Sequence, residues 1–247
     1  MIVPVSSCLM LAGCGTAVVP AKSAATPQAQ SAAEAPAALG LSARARLLQH
    51  AVNEWRFFGR QTVVIRADRE SIPHVGIWED EDEARSERIH QYWQAAGEPG
   101  LSGSDCDQAW SAAFIVWLMR AAGVPESVFP STISHRDYVA RFLGEAPDPP
   151  FLPHTIGAYR PQPADLICAI RGNSVSLDGD ELPRPADLAN AKLHCDIVVE
   201  SRGRSLQAIG GNVRNSVSRT DLALSPQGHL QPTPRRPWFL ILENRLK

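Results

Sequence analysis

Ser111, His194 and Asn212 carry the residue types of a hydrolytic triad. Ser111 stands in Trp110-Ser111-Ala112-Ala113-Phe114 near the start of an apolar stretch. His194 opens the run His194-Cys195-Asp196-Ile197-Val198, and Asn212 follows Gly210 and Gly211. A hydroxyl near a helix N-terminus feels the positive end of the helix dipole and free backbone N–H groups, and both favour developing negative charge. The same N–H groups can hold an oxyanion. A His across a cleft can take the hydroxyl proton, and an Asn behind it can fix the imidazole tautomer. The pattern therefore predicts Ser111 as nucleophile, His194 as base and Asn212 as orienter, with hydroxyl and imidazole within hydrogen-bond reach. Trp110, His135 and Gly211 are candidates to line the cleft, since His135 and Tyr138 share a helix face at i, i+3. Each residue also has a plain structural reading. Ser111 can be a small residue in a first helical turn, His194 a strand-end histidine, Asn212 a turn former, and His135 with Tyr138 part of a surface helix.

The cysteines offer other chemistry. Cys8 would leave with a signal segment and Cys14 would carry lipid, so Cys106, Cys168 and Cys195 remain. An odd count allows one disulfide and one free thiol. Cys168 and Cys195 fall on two strands expected to pair, which fits either a disulfide or two buried thiols. Cys106 precedes the helix and lacks the Trp–Ala–Phe setting, which argues against a displaced nucleophile. Cys106, Cys168, Cys195 and His194 lack the close pair spacing of a structural zinc motif, so no metal and no cofactor is expected.

The elements that must position these residues can be read from periodicity. Ser42 is a candidate N-cap for a helix carrying Leu47, Leu48, Ala51, Val52 and Trp55, which ends by Gly59. Gln61–Arg66 reads as a short strand or an extended loop. A second helix begins in the acidic stretch Glu79–Glu83 and closes at Gly97. The third spans about Gln108–Ala122, with Asp105 or Asp107 as cap and a broad stripe from Trp110, Phe114, Trp117 and Leu118. A fourth covers His135–Leu143, and Pro147–Pro163 reads as irregular. Asp165–Ile170, His194–Glu200, Ser205–Ile209 and Trp238–Leu242 read as strands, the middle two joined by a hairpin at Arg202-Gly203-Arg204. Helices first and strands second predict an α+β domain with N-terminal helices packed on a small antiparallel sheet.

The N-terminal segment has a different character. Residues 1–19 are uncharged and mostly apolar, too short for a bilayer span of about 20 residues. They contain Leu11-Ala12-Gly13-Cys14, which looks like a lipobox, although no basic residue precedes it. The expectation is a signal peptide at 1–13, lipidation at Cys14, an Ala/Pro/Ser-rich tether at 14–40 and a folded domain at 41–247. By its resemblance to bacterial lipoproteins, where an Asp after the cysteine commonly retains the protein at the inner membrane, Gly15 after Cys14 implies a periplasm-facing location at the outer membrane of a host that has one. The formal charge of −2, from 24 basic and 26 acidic residues, gives no phosphate-binding surface, so nucleic acid is not an expected partner.

The Trp110–Phe114 segment, Ala164-Asp165-Leu166-Ile167, His194 and Gly210-Gly211-Asn212 follow one another in the order of four elements of the papain-like CHAP amidases and peptidases. The resemblance covers about residues 105–215. It extends to an uncharacterised bacterial family with Trp-Ser-Ala-Ala-Phe where the CHAP enzymes have Trp-Cys-Ala. It implies a papain-like fold and hydrolysis of an amide bond in peptidoglycan or its peptides, with Ser111 in the cysteine position. A serine there is also what a catalytically inactive cell-wall or protein binding module on the same fold would carry. The lipobox generates the first test. Cys14→Ala should abolish labelling by a fatty-acid analogue and release the protein from the membrane fraction; unchanged labelling would remove the anchor.

Overall fold

The computed structural model describes residues 40–247 apart from 145, 146, 173 and 178. The expected signal peptide, the lipidation expected at Cys14 and the expected tether through residue 39 lie outside the described residues. Helix α1 (Ala43–Phe57) starts at Ser42, whose hydroxyl accepts the Ala45 N–H at 3.2 Å. Helix α2 (Glu83–Ala96) starts at Asp82, which accepts the Arg85 N–H at 2.9 Å. It ends at Gly97 with φ 96°, a left-handed conformation that costs glycine nothing.

Helix α3 (Ser111–Ala121) is buried along most of its length. It begins three residues later than periodicity suggests, for a local reason. The Asp105 carboxylate accepts the Ser102 N–H at 2.8 Å, and the Asp105 carbonyl accepts the Gln108 N–H at 2.9 Å. These bonds hold 102–108 as turns, and no side chain caps the helix at Trp110. Ser111 is therefore its first residue. Helix α4 (His135–Leu143) has the expected bounds, but it is not a surface helix: His135, Tyr138, Val139 and Phe142 are buried.

The strands are β1 (Thr62–Arg66), β2 (Arg69–His74), β3 (Phe151–His154), β4 (Leu166–Ile170), β5 (Leu193–Arg202), β6 (Ser205–Gly210), β7 (Ser218–Ala223) and β8 (Trp238–Asn244). They form one sheet in the order β2-β1-β7-β6-β5-β4-β8-β3. Every neighbouring pair is antiparallel except β1 with β7. The fold is α+β, four α-helices with an eight-stranded mixed sheet, larger than the small antiparallel sheet expected. Strand β3 forms inside the proline-rich stretch read as irregular; it pairs on the sheet edge, where Pro153 need not serve an outer neighbour.

Alternation along the strands splits the core in two. Cys168, Cys195, Ile197 and Ile209 face the four helices with Leu47, Tyr92, Phe114 and Phe142. Ile167, Val198, Ala208 and Ile241 face the other side, under Ile156, Val213 and Leu230 from the connections. Cys168 lies directly opposite Cys195 in the β4–β5 register, and the two are joined as a disulfide across a Cα separation of 4.1 Å. Of the two readings left by the sequence, the bond is the one found. It closes a loop of moderate length in the unfolded chain. Replacing both cysteines by Ala should lower unfolding free energy by about 2–4 kcal/mol in urea titrations; an unchanged midpoint would count against a structural role for the bond.

Candidate active site

Two helix N-termini meet at the floor of a cleft. Ser111 is the first residue of α3 and His135 the first of α4. The Ser111 hydroxyl and His135 Nε2 are 2.6 Å apart. On the far side of the ring, Nδ1 is 2.5 Å from the Tyr138 hydroxyl, one helical turn along α4. For the serine to give up its proton, Nε2 must be the acceptor. The ring hydrogen is then on Nδ1 and is donated to the Tyr138 oxygen. Ser111, His135 and Tyr138 are at most 4% exposed. Ser111 and His135 nevertheless line a cleft of about 640 Å³ with Gln108, Ser134, Arg171 and Lys192.

Burial sets the electrostatics. It holds the His135 pKa well below its ordinary 6.5, and the neighbouring His194 and Arg171 push in the same direction. His135 is thus a neutral imidazole at pH 7, free to accept a proton. Tyr138 is pushed well above 10, first by burial and then by the charge of Asp196, so it keeps its proton.

His194 occupies a different place from the one predicted. Its Nε2 is bonded to Asp196 Oδ1 at 2.7 Å, and both side chains are buried. Its ring meets that of His135 edge to face, with centroids 5.5 Å apart. The partner of the Ser111 hydroxyl is therefore His135, not His194. The cause is alternation: Cys195 and Ile197 point to the helices, which turns His194 and Asp196 towards the opposite face. Gly210 makes room for them there, because a Cβ at that position would lie 1.8 Å from Asp196 Oδ1 and 3.1 Å from His194 Nε2.

Asn212 does not orient His194 either; Asp196 holds that position. Asn212 has φ 54°, and its amide reaches the Gln108 carbonyl at 3.4 Å, tying the end of β6 to the loop before α3. It shares a second concavity with His194, Arg171, Arg235 and Arg236. Trp110, expected in the cleft, is a core residue at 1% exposure, stacked on Phe58 and packed against a tilted Tyr92 ring. Gly211 is likewise internal, and a Cβ there would lie 2.5 Å from Phe114 Cβ. Of the three cleft candidates, only His135 lines it.

Sequence reasoning missed Glu79 and Asp196 as members of the site, and it placed Tyr138 on the face of His135 without giving it a role. Glu79 is buried and accepts the Trp110 indole N–H, while its other carboxylate oxygen has no hydrogen-bond partner among the described residues. Burial raises its pKa above the ordinary value. It fixes the residue that immediately precedes Ser111. The signal for Asp196 was present: a His-x-Asp pair at i, i+2 puts both side chains on one strand face. Cys106 is exposed, and local desolvation with the charge of Asp80 raises its thiol above the ordinary value, so it is a poor nucleophile. Among the described residues no group of three or more His, Cys, Asp or Glu converges as a metal site.

A family model described as "Uncharacterized protein conserved in bacteria (DUF2272)" matches residues 74–244, and the chain belongs to that family. No curated protein and no solved structure matches the chain.

The depressed His135 pKa makes a stability prediction. The unfolded chain protonates this group near 6.5 and the folded chain does so only at lower pH. Its contribution is complete above 6.5 and is lost as pH falls from there towards the folded value. Asp165, raised to about 6 mainly by burial, works in the opposite direction. The readout is therefore the difference between wild type and His135→Gln. The gap in unfolding free energy should narrow as pH drops below about 6.5; a gap independent of pH would remove the claim of a neutral buried imidazole.

Proposed function

We propose that this family member is an envelope lipoprotein, lipidated at Cys14 and facing the periplasm, whose papain-like domain hydrolyses an amide bond in peptidoglycan. The observation that carries the chemistry is the 2.6 Å bond between Ser111 and a buried, neutral His135 at a cleft floor. The papain-like reading is supported by α3, which lies against β5 and β6 with a nucleophile as its first residue. The anchor rests on the lipobox alone. No helix among the described residues is long and apolar enough to cross a membrane.

In this reading Ser111 Oγ attacks the amide carbonyl carbon while its proton passes to His135 Nε2. The carbonyl oxygen becomes an oxyanion beside the first turn of α3, whose N–H groups have no i−4 carbonyl within the helix. The tetrahedral adduct collapses with cleavage of the C–N bond, and His135 returns the proton to the departing nitrogen. Water then attacks the acyl-serine, giving a proton to His135, and the carboxylate leaves as Oγ takes the proton back. Tyr138 holds the ring with Nε2 towards Ser111. Asp196, bonded to His194, helps keep Tyr138 protonated through its charge.

One observation favours a second reading, a binding module that does not cleave: Ser111 and His135 are nearly inaccessible and already satisfy each other. Incubation with purified peptidoglycan and mass spectrometry of the released fragments separates the two. Release that falls by several orders of magnitude in Ser111→Ala is expected of the hydrolase. No release from wild type, with retained wall binding, would leave only the module. The acid limb of kcat/KM should lie below pH 6.5, because His135 is depressed from that value; a limb at or above 6.5 would exclude His135 as the base.

A further inference from the structure

Cations crowd the two concavities on either side of the His135–His194 contact. Arg136, Arg171 and Lys192 line the first, with Asp107 as the only carboxylate among the described residues. Arg171 also lines the second, where Arg214, Arg235 and Arg236 face Glu70. The chain as a whole has more acidic than basic residues, 26 against 24, so this is a local concentration. Most of these cations are engaged. Arg214 pairs with Glu70 at 2.5 Å, Arg235 reaches the Asp68 carbonyl at 3.4 Å, and Arg136 bonds the Ala189 carbonyl at 2.9 Å.

Arg171 and Lys192 are different. Both are exposed, and neither side chain makes a hydrogen bond or ion pair among the described residues. Their backbones are bonded, Arg171 N–H to Lys192 carbonyl at 2.7 Å, which fixes the two side by side just beyond the ends of β4 and β5. Both line the same cleft as the Ser111–His135 pair. Ile133, 47% exposed, adds an apolar surface to that cleft.

We infer that Arg171 and Lys192 hold a carboxylate of the substrate in the Ser111 cleft, so that the protein acts on acidic peptides with a free carboxylate close to the scissile amide. The inference takes the cleft of the proposed function as the substrate cleft. A guanidinium and an ammonium carried on adjacent, paired backbone positions match a carboxylate, the first through two parallel N–H bonds and the second as a point charge. The pairing has a consequence for the base. The groups facing His135 are Ser111 from α3, Tyr138 on its own helix, His194 with Asp196 from β5, and Arg171 beyond β4. Of these, Arg171 opposes imidazolium formation by its charge. A bound carboxylate cancels that charge, so His135 becomes the stronger base once substrate is in place.

The test uses full-length Ser111→Ala protein, in which no turnover confuses binding. Probes are soluble stem peptides released from purified peptidoglycan, with carboxylates either free or amidated by carbodiimide coupling. Titration calorimetry should show the free acids binding about tenfold or more tighter, a difference that shrinks with added salt. Adding Arg171→Gln or Lys192→Gln should weaken the free acids and leave the amides nearly unchanged. Equal binding of the two forms, no binding of either, or equal losses on both would overturn the inference. In the active protein, Arg171→Gln should raise KM for the free acids and leave KM for the amidated peptides nearly unchanged; a structural role alone would raise both. The two readings fail separately. Cleavage of acid and amide forms with the same KM would sink the carboxylate site and leave the Ser111 chemistry. Charge-selective binding without Ser111-dependent cleavage would do the reverse.

Discussion

The site depends on keeping one imidazole dry and neutral. His135 is surrounded by protein, and an imidazolium there would be paid for in lost hydration without an adjacent carboxylate bonded to its ring. Its two nitrogens are instead satisfied by neutral hydroxyls, Ser111 on one side and Tyr138 on the other. This is an arrangement in which the base has a lowered proton affinity but is almost wholly in its accepting form at pH 7. The carboxylate available in the neighbourhood, Asp196, is spent on His194. The two histidines thereby acquire different surroundings within one contact distance, which is how a fold separates the roles of two like groups.

That constraint is built from the backbone outwards. Asp105 consumes the residues before α3 in turns, so the helix cannot start before Ser111. Glu79 holds Trp110 from behind, and Gly211 lets β6 approach Trp110 and Phe114 more closely than any side chain would permit. On the other flank the β4–β5 register fixes Cys168 against Cys195 and Ala169 against His194. The disulfide faces the helices while His194 faces away, so the same alternation that staples the sheet decides which histidine meets the serine. Tyr138 reaches Nδ1 because residues i and i+3 of α4 lie on one face.

The sequence made the helices legible because each has a strong local signal. Ser42 caps where expected, Asp82 caps within the acidic stretch expected to open α2, Gly97 terminates where expected, and α3 is the most apolar of the four helices. Strands β4, β5, β6 and β8 are short apolar runs between turn residues and were equally visible. The strands that escaped lack such a pattern. β2 reads Arg-Glu-Ser-Ile-Pro-His on an exposed edge, and β7 reads Ser-Arg-Thr-Asp-Leu-Ala, held in place by neighbours on both sides. Their formation is a tertiary effect, to which periodicity is blind. The parallel β1–β7 contact, across most of the chain, is likewise beyond any local signal.

The candidate site was legible in its membership more than in its pairing. Ser111, His135 and His194 are all visible as chemistry-bearing residues, and all three gather in one place. Which histidine bonds the serine depends on a one-residue parity, the side of β5 to which position 194 points. That parity could have been read from the sequence. Cys195 and Ile197 are apolar and alternate with His194 and Asp196, so if the first pair packs under the helices the second cannot. Once His194 is assigned to Asp196, the buried face of α4 supplies the imidazole that remains. The hydroxyl then has its partner on a helix instead of a strand, and the exposed cations beyond β4 and before β5 stand next to the base that any bound carboxylate would have to influence.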